Sequence, residues 1–314
     1  RHVKKYSDPF QEESYIGLHE DGADGVDLTG KTIIITGANS GLGKEMATYV
    51  AAKGAKLYML CRSQKRAEAA RREIQEKTNN NDIHILLADL SEMSQVRRVV
   101  EEFQSMEDKL DCLVCNAGVL LNERRSSMEG RETTFASHFL GGTYLLTKLL
   151  MPQLKAAKEQ ARVVIVTSGG MLLEKFPEWD VATNENGTEY NGQQAYSYAK
   201  RGQVIVAERW AKEFPEITFV SAHPGWTATN AVDAAFGDQK KLLEPMRTTW
   251  QGAEGICWLI AADSKKLESG EFYLDRKTQK KHMAGPFMSE GSYTKNSKAE
   301  IEVMMAKLKE TVGI

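Results

Sequence analysis

The sequence lacks long apolar runs and lacks an excess of charge of either sign. Its 314 residues carry 41 Lys and Arg against 43 Asp and Glu, a net charge of −2. This balance predicts neither a nucleic acid nor an anionic membrane surface as partner. No apolar stretch approaches the roughly 18–20 residues that cross a bilayer. Since the chain opens at Arg1 rather than Met, a trimmed membrane anchor stays open; otherwise we expect a cytoplasmic protein.

Cysteine is also scarce, with four residues in the chain. Cys112 and Cys115 form a C-x-x-C, a spacing that zinc and redox sites use. They lie in an apolar, strand-like run, and no second C-x-x-C or His pair accompanies them. Buried free thiols in a reducing compartment are therefore the better interpretation, and we predict no metal site.

Short apolar runs rich in β-branched residues alternate with amphipathic stretches. Strands are predicted at 31–36, 56–61, 83–88, 110–115, 162–167, 217–222 and 271–274, and helices at 44–52, 64–77, 92–106, 131–157 (broken near Pro152), around 196–210, at 249–262 and at 297–308. Such alternation is typical of a parallel sheet with helices on both faces. We predict an α/β fold: one doubly wound Rossmann domain (28–275) with a mostly parallel seven-stranded sheet. An N-terminal arm (1–27) precedes it, and a C-terminal extension with a helix (276–314) follows.

A glycine-rich loop, Gly37–Gly43, stands between the first strand and the first helix. Glycines allow a tight turn and a close approach of the backbone, and the free N–H groups of a helix start attract phosphate. The second strand ends at Arg62, where an acidic residue would hold the free ribose of NAD. An arginine suits the 2′-phosphate of NADP instead. We therefore predict NADP(H) as cofactor, in preference to NAD(H).

Tyr196 and Lys200 stand four residues apart in a predicted helix and so lie on one face of it. An ammonium group beside a phenol favours the phenolate and lowers the tyrosine pKa. A surface pair is the better interpretation of Y-x-x-x-K in isolation. In this chain, however, several strands end in polar or small residues, and ligands bind beyond the carboxyl ends of parallel strands. That setting makes the pair a catalytic candidate.

These motifs together resemble the short-chain dehydrogenase/reductase family over about residues 28–275. The resemblance rests on Thr36-Gly37-x-x-x-Gly41-x-Gly43, Asn116-Ala117-Gly118, Ser168, Tyr196-x-x-x-Lys200 and Pro224-Gly225. Further strings, such as His223–Trp226, resemble one member of the family most closely, and the retinol-dehydrogenase-like branch is the next nearest match. The resemblance implies Tyr196 as general acid or base, Lys200 as the group that lowers its pKa, and Ser168 as the hydrogen-bond partner of the substrate oxygen. The cofactor contacts that it implies are Gly37, Asn39, Ser40, Gly41, Leu42, Gly43, Arg62, Asp89, Leu90, Asn116, Ala117, Gly118, Thr167, Tyr196, Lys200, Pro224, Gly225, Trp226, Thr227 and Thr229.

One candidate catalytic position departs from the family pattern. His138 stands in Phe135–Gly141 where the family has an asparagine that helps to hold a water next to the lysine. An imidazole is bulkier and titrates near neutrality, so it could relay a proton itself. It could equally well only pack and cap. Both interpretations stay open at this point.

The segments expected to line the substrate entrance are apolar: Met171, Leu172, Leu173, Phe176, Trp179, Trp226 and Phe236. They predict a hydrophobic carbonyl or alcohol as substrate, unless these side chains pack on one another. The rival functions are an NADP-binding sensor or scaffold with little or no activity, since a fold does not guarantee catalysis, and an epimerase. The apolar side of helix 297–308 could pack on the domain or on a second subunit, so a homodimer remains open.

Overall fold

An eight-stranded sheet organises the chain. The computed structural model describes residues 25–157, 161–229, 232, 245–284 and 293–314. The strands are β1 (Thr32–Thr36), β2 (Lys56–Cys61), β3 (Ile83–Leu87), β4 (Cys112–Cys115), β5 (Arg162–Val166), β6 (Thr218–Ala222), β7 (Phe272–Leu274) and β8 (Lys277–Thr278). Their order in the sheet is β3-β2-β1-β4-β5-β6-β7-β8. All neighbours are parallel except the last pair.

Helices cover both faces of this sheet. They are α1 (Gly41–Ala52), α2 (Gln64–Thr78), α3 (Met93–Met106), α4 (Thr133–Phe135, Ala136–Leu145 and Leu146–Ala156 in continuous succession), α5 (Trp179–Ala182), α6 (Gly192–Glu213), α7 (Thr249–Ala261) and α8 (Lys298–Val312). Alternate residues of the buried strands serve opposite faces, because successive side chains of a strand point to opposite sides. Ile33 and Ile35 of β1 join the core beneath α1, α2 and α7, whereas Ile34 joins the core beneath α3, α4 and α6.

The same alternation separates the two cysteines of the C-x-x-C. Cys112 belongs to one core and Cys115 to the other, and both are buried free thiols, as predicted. Burial raises the pKa of each thiol to about 12. On opposite faces of one strand, they are not placed to share a ligand.

The doubly wound parallel sheet is confirmed, and the strand number differs by one. The additional strand, β8, turns back on β7 through Asp275 and Arg276, both left-handed with φ of 50° and 62°. Such a two-residue turn matches the twist of the strands that it joins. The sheet thus continues past residue 275, where the sequence analysis placed the end of the domain.

The predicted long helix is distorted at a different place from the one expected. Pro152 lies inside the straight part of α4, and the helix continues through it. The distortion is a π-helical stretch, Ala136–Leu145. The Thr143 hydroxyl donates to the carbonyl of His138, five residues earlier, at 2.7 Å. Consecutive glycines, Gly141 and Gly142, follow His138 closely, and glycine pairs and inserted polar groups are known causes of such irregularities.

The C-terminal helix packs on the domain itself. Met304, Leu308 and Val312 of α8 are buried in the core beneath α3, α4 and α6. A capping box begins this helix at Ser297. Its apolar side is therefore occupied within the chain. The predicted arm, apart from residues 25–27, and Phe236 of the predicted substrate entrance lie outside the described residues.

Candidate active site

The glycine loop connects β1 to α1 and leaves no room for side chains at its closest approach. A Cβ on Gly43 would stand 2.2 Å from the carbonyl oxygen of Gly37. Gly37 and Gly41 have positive φ values of 68° and 51°, which L side chains rarely adopt. Ser40 is the N-cap of α1, and its hydroxyl makes no capping hydrogen bond. These features fit the diphosphate of a dinucleotide at the start of α1.

The Asn116–Gly118 turn after β4 lies directly against this loop. The Thr36 hydroxyl, at the end of β1, accepts hydrogen bonds from the N–H groups of Asn116 and Ala117, each at 2.8 Å. The Asn116 side-chain amide donates to the Thr36 carbonyl at 2.9 Å. Thr36 thus joins two of the predicted cofactor segments. In the sequence, Thr36 was recognisable only as part of a motif, and this role was not predicted.

Arg62 and Asp89, at the ends of β2 and β3, form an ion pair of 3.2 Å. Burial raises the pKa of Asp89, but hydrogen bonds from Ser91 and Arg62 outweigh it, so the net shift is downward. The Arg62 side chain is 59% exposed. It is therefore accessible to a phosphate group from solvent.

The loop after β6 reaches towards the glycine loop from the other side. A Cβ on Gly41 would lie 3.8 Å from the methyl group of Thr229. Thr227 is buried, and its hydroxyl donates to the Pro224 carbonyl at 3.1 Å. Buried Arg247 supports this loop through main-chain hydrogen bonds to Trp226 and Ala228, and through a bidentate ion pair with Asp275, both contacts at 2.6 Å. Neither Arg247 nor the role of Asp275 was predicted from the sequence, because no local pattern pairs two residues so far apart in the chain.

Ser168, Tyr196 and Lys200 meet beyond the carboxyl end of β5. Ser168 caps a short 3-10 turn, Gly169–Leu172, and its hydroxyl lies close enough to the Tyr196 phenol to lower the pKa of that phenol. The Lys200 ammonium lies 5.4 Å from the centre of the Tyr196 ring and donates to the Val166 carbonyl at 2.8 Å. The Thr167 hydroxyl donates to the Lys200 carbonyl at 2.9 Å, so it holds α6 on the sheet. The structure thus brings the predicted triad together.

Burial sets the electrostatics of this triad. It lowers the pKa of Lys200 to about 7, and among the described residues no carboxylate stands beside the ammonium to oppose the shift. Tyr196 keeps some solvent access, yet the protein around its ring raises its pKa, and the nearby Ser168 hydroxyl opposes this only in part. From the sequence alone, Lys200 was expected to lower the pKa of Tyr196. In this arrangement desolvation is the stronger effect, and the net shift is upward.

His138 packs into the site as a neutral ring. Its Nε2 lies 2.7 Å from the carbonyl oxygen and 2.9 Å from the N–H of Val119, and the tautomer decides which bond forms. The ring meets that of Tyr196 edge-on, with centroids 5.2 Å apart. Burial and the nearby charge of Lys200 hold the pKa of His138 well below its usual range. Of the two interpretations left open by the sequence, this environment favours packing over a proton relay.

The His138 carbonyl is held by two side chains that the sequence analysis missed. Besides Thr143, the Gln203 amide donates to it at 3.0 Å. Gln203 stands three residues after Lys200 on α6 and is buried. Its spacing from Lys200 was the available signal, but a polar residue in a helix is usually solvent-facing.

The predicted apolar entrance is largely interior. Met171 and Leu172 form a small core with Val204 and Phe272. Phe176 is buried against Phe135 and Phe139, and Trp179 also packs edge-on against Phe135. Of the residues between 171 and 179 that were expected to line the substrate entrance, Leu173 is exposed. For most of this segment, mutual packing is therefore the correct interpretation.

A parallel sheet with a glycine loop at its switch point and a Ser-Tyr-Lys cluster at its carboxyl edge defines a nicotinamide-dependent dehydrogenase or reductase. The similarity of the chain to known proteins supports this class. The family model described as short chain dehydrogenase matches residues 31–240. The human "Dehydrogenase/reductase SDR family member 12" is 36% identical over 89% of this chain and 86% of its own. The "Retinol dehydrogenase 12" of Bos taurus is 34% identical, over 80% of each chain.

Among solved structures, a short chain dehydrogenase from Shigella flexneri complexed with NADP superposes with a TM-score of 0.62 at 20% identity. The match covers 82% of this chain and all of that one (100%). This similarity shows the common fold. The chain belongs to the short chain dehydrogenase family, as its motifs indicated, and is an oxidoreductase that acts on CH–OH or C=O groups with NAD or NADP.

Two features are absent from the residues that the structure describes. No helix among them is both long and apolar enough to cross a bilayer. Within those same ranges, His, Cys, Asp and Glu form no group of three that could hold a metal ion.

Proposed function

We propose that this chain is an NADP(H)-dependent oxidoreductase that interconverts a hydrophobic carbonyl compound and its alcohol. The observation that carries the proposal is the contact of Ser168 with Tyr196, with Lys200 one helical turn away, at the edge of the sheet that the glycine loop also occupies. The nicotinamide, when bound, supplies or accepts the hydride. The chain's own residues position the oxygen and handle the proton.

Tyr196 is the general acid towards a carbonyl and the base towards an alcohol. Its raised pKa keeps the phenol protonated at neutral pH, which is the form that can donate. The Ser168 hydroxyl is placed to donate to the same oxygen and to stabilise its developing charge. Lys200, buried and without a carboxylate in contact among the described residues, stabilises a phenolate when one forms.

Arg62 supports the preference for NADP(H) over NAD(H). Its guanidinium is exposed beside the ribose end of the predicted cofactor site, where a fork of N–H groups suits a phosphate. The solved relative in complex with NADP is consistent with this choice. For the substrate, the name of the retinol dehydrogenase relative points to a lipophilic alcohol or aldehyde.

The experiment is NADPH oxidation against a panel of lipophilic aldehydes and ketones, with small polar carbonyls beside them. Tyr196→Phe removes the proton donor and should reduce the turnover by at least about 100-fold, the lower limit for general acid catalysis. Tyr198→Phe, two residues along α6 and outside the triad, is the matched control and should keep wild-type turnover. Turnover of the small polar carbonyls alone would contradict the substrate class.

The second candidate is an NADP-binding sensor or scaffold with little activity. The environment of His138 favours it, because a neutral ring replaces the family's asparagine and the carbonyl of the same residue is bound by Gln203 and Thr143. Tight NADPH binding without turnover on any panel member, in the wild type and in His138→Asn alike, would identify this function.

A further inference from the structure

The segment that follows the 3-10 turn of Ser168 is tied to α6 and to the C-terminal part of the chain at three consecutive residues. The Glu174 carbonyl accepts from Arg201 Nε at 3.1 Å. The Lys175 ammonium pairs with Glu300 of α8 at 2.6 Å. Phe176 forms two main-chain hydrogen bonds with the side chain of Asn296, at 3.1 and 2.8 Å. We call residues 174–176 the tethered segment.

Arg201 connects this segment to residues after β8. The guanidinium is completely buried, and besides Glu174 it donates to the Lys281 carbonyl at 2.8 Å, while His282 Nδ1 lies 3.5 Å away. Within the described part of the chain its Nη2 has no hydrogen-bond partner. No described carboxylate forms a salt bridge with it, and Glu208 acts on it only as a nearby charge. A buried cation satisfied mainly by carbonyl groups is costly, so stability alone is a poor reason for its presence.

Asn296 is the matching contact on the other side of the tethered segment. Its amide donates to the Phe176 carbonyl and its oxygen accepts from the Phe176 N–H, as a neighbouring strand would. Both Asn296 and Phe176 are buried. Removing the amide would leave two buried main-chain groups unpaired, which costs more than an exposed hydrogen bond.

We propose that Arg201 and Asn296 are positioning residues through which the C-terminal extension sets the conformation of the Ser168–Phe176 segment and thereby substrate affinity. Arg201 directly follows Lys200 on α6. The same helical turn therefore carries a residue of the triad and a residue that holds the end of the segment that begins at Ser168. Leu173, the exposed apolar residue of this segment, lies between Ser168 and the tethers. The effect on substrate rests on the proposed function, whereas the effect on the segment does not.

The test compares Asn296→Ala and Arg201→Lys with Glu302→Gln in the full chain. Glu302 is the control, because this α8 residue pairs with Arg209 of α6 and does not touch the tethered segment. The first readout is amide hydrogen exchange of residues 168–176. Asn296→Ala should accelerate exchange there by about tenfold or more, because it removes two buried hydrogen bonds, and the control should not.

The second readout is steady-state kinetics with NADPH and either retinal or decanal. We expect a KM for the aldehyde raised about fivefold or more in both tether variants, with the KM for NADPH within about twofold of wild type, since the glycine loop is untouched. Equal exchange in Asn296→Ala and Glu302→Gln would overturn the proposal, as would a parallel loss of NADPH affinity. If the wild type shows no turnover, the proposed function fails, and the exchange data still decide the role of the tethers.

Discussion

The contact between Gly118 and His138 allows a sharp prediction. A Cβ built on Gly118 would lie 1.7 Å from Cε1, 2.3 Å from Nδ1 and 2.4 Å from Nε2 of the His138 ring. Gly118 does not have a left-handed φ, so alanine is acceptable to the backbone and the clash with the ring is the main obstacle. His138 is 3% exposed, which leaves the ring little room to move.

Gly118→Ala should therefore destabilise the wild type by about 1–3 kcal/mol, the usual cost of adding a methyl group to a packed interior. In a His138→Ala background the obstacle is gone. There, the same change should be neutral or stabilising by up to about 1 kcal/mol, because alanine restricts the unfolded chain more than glycine does. The expected coupling between the two sites is about 2 kcal/mol, within the range for residues in contact.

Urea unfolding of the four proteins measures this cycle, provided that the m-value is unchanged among them. A cost of Gly118→Ala that is equal in both backgrounds, within about 0.5 kcal/mol, would refute the packing of His138 against Gly118. It would also reopen the proton-relay interpretation, because a ring that does not fill this space could sit elsewhere in the site.

Three further predictions concern the charged residues. Arg62→Glu should raise the KM for NADPH by about tenfold or more and leave that for NADH nearly unchanged, as measured by initial rates with each cofactor. Lys200→Met should be more stable than wild type at pH 7 without cofactor. This difference in the free energy of unfolding should shrink by up to about 1.4 kcal/mol per pH unit above pH 7. The reason is that the unfolded lysine still binds a proton, which the folded one, with its pKa near 7, has lost. Arg247→Met should lower the free energy of unfolding by about 3 kcal/mol in urea, because it removes the buried cation and leaves the Asp275 carboxylate without its partner.

The sequence predicted those parts of the fold that depend on local patterns. The buried strands are continuous β-branched or apolar runs. The glycine loop is recognisable because its backbone conformation and close packing exclude side chains at these positions. β8 escaped prediction since Lys277 and Thr278 are both exposed and carry no apolar period. The π-helical stretch escaped it as well, because it depends on contacts of Thr143 and Gln203 with one carbonyl group.

The arrangement of the site could likewise be predicted only where it depends on local spacing. Residues that share one helix or one loop, such as Tyr196 with Lys200, could be placed from their spacing. The direction of the tyrosine pKa could not, because it depends on how much protein surrounds the ring. Likewise, the apolar residues Met171, Leu172 and Phe176 give the same pattern whether they line a cavity or fill a core. Only the tertiary arrangement separates these cases.

The electrostatics of the triad also favour one direction of reaction at neutral pH. In the proposed mechanism, reduction of a carbonyl needs the protonated phenol of Tyr196, and burial raises the pKa of this phenol, so the protonated form dominates at neutral pH. Oxidation of an alcohol needs the phenolate, which forms only as the pH rises towards that pKa. We therefore expect kcat for reduction to be nearly constant from about pH 6 to 8 and kcat for oxidation to increase through the same range. Because Lys200 loses its own proton near pH 7, its help to the phenolate weakens as oxidation becomes possible, which adds to the bias towards reduction. Oxidation that is already at its maximal rate at pH 7 would show that the phenol pKa in the working enzyme is lower than burial alone dictates.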